Sequence, residues 1–218
     1  MNIRLLQLAS PALPVGAYSY SQGLEPAVEA RVVENAADAE AWIGDVLEHS
    51  VARMEAPVFL RVASAWQRGD DAAAWRWNAE FVASRESAEL RAETLQMGHS
   101  LARLARDLGI PGVERLAAEE IAYPAAFSFV TTAWAIDAAE ALRAYLYAWV
   151  ENQVLAAVKC VPLGQTEGQR MLLELGGRID AIAGAAGAMS DDELGNFAPA
   201  LAILSTRHET QYTRIFRS

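Results

Sequence analysis

The chain is poor in the residues that build metal and redox centres: its 218 residues include one cysteine, Cys160, and three histidines, His49, His99 and His208. A lone cysteine forms no internal disulfide, and Cys160, close to Val158 and Val161, reads as core filler. So few soft ligands argue against a dedicated metal cage. Lysine is scarcer still, with Lys159 standing alone beside seventeen arginines. Positive charge as a whole is in deficit. The formal net charge is −10 and the pI about 4.8, which argues against nucleic-acid or anionic-membrane binding, because both select clustered Lys and Arg. Long apolar runs are also missing: the apolar-rich uncharged stretch over residues 123–136 is fourteen long, short of the ~20 that span a bilayer. Only residues 5–9 precede the first Ser-Pro, too few for a signal-peptide core of roughly 7 to 15 residues. A cytoplasmic protein without a membrane span is the expectation. No convincing strand alternation and no internal repeat occur.

What is present is apolar material in helical register. The composition is 53% hydrophobic and 21% charged, that of a folded chain with a sizeable core. With no linker-like stretch, one domain over residues 1–218 is expected, residues 206–218 forming a tail. Asp38 is the expected N-cap of a helix that aligns Trp42, Ile43, Val46, Leu47, Val51 and Met54. Pro57 opens the next helix and Gly69 ends it. Leu90, Thr94, Met97, Leu101, Leu104 and Leu108 alternate four and three apart, a seam against one neighbouring helix. Asp137 caps a long helix that is apolar on more than one face and therefore central, broken at Pro162. A glycine-bearing helix over 166–189, a Ser190/Glu193 capping box and a last helix opened by Pro199 complete an all-α bundle of eight to ten helices.

Catalytic motifs fail on inspection. His208-Glu209 begins like H-E-x-x-H, but Tyr212 stands where the second zinc ligand belongs. The segment Gly164-Gln165-Thr166-Glu167-Gly168 lacks P-loop spacing and its lysine; it reads as a helix-to-helix turn with Thr166 as N-cap and Gln165 satisfying backbone groups. Three scattered histidines offer no base for any of the serines. An all-α metal-dependent hydrolase using His49, His99 and His208 requires those side chains to converge.

Three features suit contact with other proteins. Lys159 ends a largely apolar helix beside Pro162, where its stem either snorkels to solvent or meets a partner. The block LQLASPALPVGAYSYSQGLE, residues 6–25, forms a proline-stiffened loop carrying Tyr18, Tyr20 and Gln22, which either seals one end of the bundle or binds. The closing RHETQYTRIFRS, residues 207–218, places His208, Tyr212, Ile215 and Phe216 at i, i+4, i+7 and i+8, one face if helical, flanked by Arg207, Arg214 and Arg217. Its terminal position favours a partner's groove over the chain's own core.

These blocks, with PLGQTEGQ at 162–169, resemble the urease accessory protein F family, UreF. Pro26 and Arg31 depart from that family's pattern, where a continuing helix and a helix-ending glycine are usual. The resemblance implies a non-enzymatic, all-helical, dimeric maturation factor without a cofactor of its own. Such a protein bridges UreD (also called UreH) and the GTPase UreG, and through them apo-urease, for GTP-dependent nickel insertion. It also implies partner contacts by Arg207, His208, Glu209, Tyr212, Arg214, Ile215, Phe216, Arg217, Lys159, Gln165, Tyr18, Tyr20 and Gln22. The apolar face of the tail is too small to hold an isolated helix, so a tail disordered in the free chain and ordered on UreD is the corresponding expectation.

Overall fold

Asp137 caps the helix around which the rest is built. Its side chain accepts from the amides of Ala139 and Glu140, both at 3.0 Å, and α8 then runs Ala138–Cys160. Leu142, Tyr145, Leu146, Trp149, Val150 and Val154 are buried on several of its faces. The helices around it are α1 (Ile3–Ala9), α2 (Leu24–Glu29), α3 (Ala36–Val46), α4 (Ala56–Arg68), α7 (Tyr123–Ala133), α9 (Gln165–Gly176) and α10 (Ile179–Ala188). Farther out lie α5 (Asp71–Ala83), α6 (Ala88–Asp107) and α11 (Pro199–His208). This computed structural model describes residues 2–117 and 120–218, among which no strand occurs.

Asn35 caps α3 through hydrogen bonds to the amides of Ala37 and Asp38, so the expected Asp38 cap sits three residues too late. Asp38 instead accepts from the Glu34 amide and the Asn35 side chain. Nor does the chain break before Pro57. A nine-residue π-helical stretch, Leu47–Glu55, fuses α3 and α4 into one rod, with Pro57 in the first turn of α4, where its missing N–H costs little. Taking that rod as one helix puts the count within the predicted range. The strap over 189–198 is pinned across the π-turn, the amides of Gly195 and Phe197 donating to the carbonyls of Arg53 and His49 at 3.3 and 3.0 Å.

The α6 seam packs on α7. Leu90, Thr94, Met97 and Leu101 are buried as expected, whereas Leu108 lies past the helix end, half exposed. The segment leading into α7 approaches α6 closely at Gly98, where an added Cβ would lie 2.0 Å from the Ile121 carbonyl oxygen. The helix expected over 166–189 is broken at Gly177 and Arg178 into α9 and α10, and Gly164 rather than Thr166 is the α9 cap. The Ser190/Glu193 box is present, with the Ser190 amide and hydroxyl donating to Glu193 at 2.8 and 2.7 Å. Pro26 lies in the first turn of α2, and Arg31 holds a left-handed φ of 57° just after that helix.

Candidate partner-docking site

The 16–25 loop, α2, the start of α6 and the tail meet at one end of the bundle. Gly16 and Gly23, at φ of 83° and 80°, turn the chain into and out of a short 3-10 turn, Ala17–Ser19. Between them Tyr20 and Ser21 point inward and are buried, while Tyr18 points out, 62% exposed. The Tyr20 hydroxyl donates to Gln96 at 2.7 Å. Gln22, forced to a φ of 49°, donates to Glu93 at 2.6 Å and accepts from the Trp149 indole at 2.8 Å. A non-glycine residue in this region is strained, and these two side-chain hydrogen bonds hold it there.

The tail is laid along this loop. Helix α11 ends at His208, and residues 209–218 are non-helical. The Arg217 amide donates to the Ser19 carbonyl at 2.8 Å, and the Ser218 carbonyl accepts from the amide and hydroxyl of Ser21 at 2.7 and 2.6 Å. One carboxylate completes the clasp: Glu25, in the first turn of the buried α2, accepts from the amides of Ile215 and Phe216 at 2.7 and 2.8 Å. The His208 ring lies between acids, Nδ1 2.6 Å from Glu89 and Nε2 3.4 Å from Glu25. Arg214 bridges Glu89 at 2.6 Å and the Glu209 carbonyl.

The expected single face therefore divides. His208 and Phe216 are buried in the chain's own core, whereas Tyr212 is fully exposed and Ile215 is 65% exposed. Carboxylate and loop partners take the amides that a helix would have used, and the tail lies on its own chain in a non-helical path instead of the expected helix. Tyr20 and Gln22 likewise support the loop from within. Arg207, Tyr212, Ile215, Arg217 and Tyr18 remain on the surface, and Gln165 is an exposed first residue of α9. Glu209 accepts from the Ala88 amide at 3.0 Å, joining the tail to the start of α6. Lys159 is exposed, its Nζ 5.3 Å from the centre of the Phe216 ring, a distance at which a cation and an aromatic face attract.

Beneath the clasp lies a buried acidic layer. Glu93 accepts from Gln22 and from the Ser218 hydroxyl; burial pushes its carboxyl up to about 7 despite those hydrogen bonds. Glu55, at the end of the π-turn, accepts from the Tyr145 hydroxyl and lies 3.7 Å from Arg85. Burial raises its carboxyl too, against the pull of Arg85. Gln22, Glu55, Arg85, Glu93, Tyr123 and Tyr145 line a cavity of about 60 Å³, roomy and polar enough for water.

The histidines do not converge. His49 sits exposed on the π-turn and His99 on α6, and among the described residues no group of three His, Cys, Asp or Glu is placed to hold a metal. Sequence reasoning missed Glu25, Glu89 and Glu93. Their signal was charge at positions where α2 and α6 are otherwise apolar or small.

The acid-clasped tail lies on an all-helical body with Tyr212 and Ile215 exposed. The family model for UreF matches residues 33–176. Across 99% of its length the chain is 59% identical to the urease accessory protein UreF of Azoarcus sp. (strain BH72), covering 95% of that protein. It is 52% identical to the urease accessory protein UreF of Dechloromonas aromatica (strain RCB), covering 99% of this chain and 96% of that one. A bifunctional urease accessory protein UreEF of Bordetella bronchiseptica is 48% identical over 98% of this chain, which covers 51% of that protein. The chain belongs to the UreF family of urease accessory proteins.

Proposed function

We propose that this chain is a non-catalytic bridge in urease maturation, joining UreD to the GTPase UreG so that GTP turnover drives nickel, as cargo, into apo-urease. The observation that carries the reading is the split tail. His208 and Phe216 fasten it, which leaves Tyr212 and Ile215 displayed beside Arg207 and Arg217 on a fixed backbone. Large apolar side chains held in the open suit the centre of an interface, with arginines at its rim. Lys159, beside Phe216, is the proposed contact on the UreG side, and Gln165 and Tyr18 extend the surface. The UreEF relative, named for two accessory proteins in one chain, supports work alongside further accessory proteins. A cytoplasmic homodimer belongs to the same reading; no helix among the described residues is long and apolar enough to cross a membrane.

The test is co-purification with UreD, UreG and apo-urease. Tyr212→Ala/Ile215→Ala should lose UreD while leaving thermal stability unchanged, and Lys159→Ala should keep UreD but reduce urease activation. Retention of UreD at wild-type strength by the double variant defeats the reading, as does GTP hydrolysis by the purified chain alone.

A further inference from the structure

Glu25, Glu55 and Glu93 are the buried carboxylates among the described residues. Two of them have partners that carry their charge: Glu55 lies 3.7 Å from Arg85, and Glu25 has the His208 ring at 3.4 Å and two backbone amides. Glu93 makes no ion pair with any described residue. Its two contacts suit the neutral acid. Oε1 accepts from the Gln22 side-chain amide at 2.6 Å, and Oε2 lies 2.8 Å from the Ser218 hydroxyl. A hydroxyl turns to accept from a protonated carboxyl as easily as it donates to an ionised one. An ionised carboxylate offers about four acceptor sites, which these two neighbours only partly fill, and a buried charge so poorly served is costly.

The groups around Glu93 do not supply the missing charge. Arg85 favours ionisation but stands closer to Glu55, and Glu55 itself repels a second negative charge here. In the tail, Arg217 turns to Gln96 at 3.5 Å, and the Ser218 carbonyl oxygen is taken by Ser21. One turn back on α6, Glu89 is occupied by His208 and Arg214. Tyr20, Tyr123 and Tyr145 stay neutral, because burial raises each phenol.

We infer that Glu93 and Ser218 form a proton-sensitive latch: the tail stays seated while Glu93 keeps its proton, and ionisation of Glu93 favours lifting of the last residues from the 19–21 loop. Ser218 is buried against Oε2, so its departure admits water to the carboxylate. The latch belongs to the free chain and holds whether or not Tyr212 and Ile215 meet UreD. Burial raises the seated-state value from 4.5 to about 7, and a hydrated carboxyl returns toward its ordinary value. The seated tail therefore binds the proton more tightly than the lifted one. Seating is strongest below 4.5 and weakens as pH rises through 7. From about pH 6 to about pH 8.5 the ratio of seated to lifted chains should fall about tenfold.

Amide exchange followed by NMR on the whole chain, corrected for the intrinsic effect of pH, measures that ratio at Phe216 and Arg217. Their protection should fall about tenfold over this range in the wild type and stay below that of Val150 in the α8 core. Glu93→Gln, neutral and of the same shape, should hold tail protection level across the range. In the wild type alone, the carboxyl carbon of Glu93 should titrate near 7. Flat wild-type protection, a Glu93→Gln profile that follows the wild type, or tail protection equal to that of Val150 overturns the inference. So does a Glu93 carboxyl that titrates near 4.5.

Discussion

Glu25 holds Phe216 in place: its buried carboxylate accepts the Phe216 amide at 2.8 Å and the neighbouring Ile215 amide at 2.7 Å. Across 190 residues of sequence one side chain does for the tail what a helix N-cap does for its own first turn. Glu25→Ala leaves two amides without their acceptor and removes one of the acids flanking His208. It should cost about 3 kcal/mol, since each buried group left unpaired costs ~1 to 3 kcal/mol. Urea denaturation reads the loss, and amide exchange at 215 and 216 should accelerate well before global unfolding.

Phe216 and Tyr212 should respond in opposite ways. Phe216 is 5% exposed and packs in the core, so Phe216→Ala should lose about 3 kcal/mol or more. Tyr212 is fully exposed, and Tyr212→Ala should stay within about 0.5 kcal/mol of wild type. Thermal melts of the two variants side by side decide whether the tail is fastened by its last aromatic residue.

Glu93 makes stability depend on pH in a stated direction. Burial raises its folded-state value from 4.5 to about 7, so the folded chain holds the proton more tightly than the unfolded one. That contribution is whole below 4.5 and is lost as pH rises through 7. Glu93→Gln should therefore melt higher than wild type on the alkaline side, by at most about 3 kcal/mol at ~1.4 kcal/mol per unit, and the gap should narrow on the acid side. Equal melting curves across that range contradict the assignment.

Gly98→Ala tests the close approach of α6 to the segment that leads into α7. The new methyl would sit 2.0 Å from the Ile121 carbonyl oxygen, a backbone atom that cannot swing aside as a side chain can. Forcing that segment off α6 should cost at least about 2 kcal/mol, seen as a lower denaturation midpoint with helix content retained by circular dichroism.

The helices were legible wherever capping and apolar spacing act locally, as at Asp137 and the Ser190/Glu193 pair. The fused α3–α4 rod was not, because a proline in a first turn looks the same whether a loop or another helix precedes it. Residues 166–189 kept helical spacing through Gly177 and Arg178, so periodicity alone passed over the break. In the candidate site the sequence pattern singled out the loop, Lys159 and the tail but assigned the tail a helix. His208, Tyr212, Ile215 and Phe216 do share a spacing, yet Glu25 and Ser21, nearly the whole chain away, decide which of them turns inward. Long-range hydrogen bonds of this kind leave no periodic trace.

The solitary lysine gives the chain a built-in handle for spectroscopy. Amine-reactive dyes or isotope-labelled methyl groups would modify one side chain, Lys159, whose ammonium lies 5.3 Å from the Phe216 ring. A methyl probe on that nitrogen would feel the ring current whenever the tail is seated and lose it whenever the tail lifts. Its chemical shift would then report, residue by residue in no other part of the molecule, whether an assembling complex leaves the clasp closed.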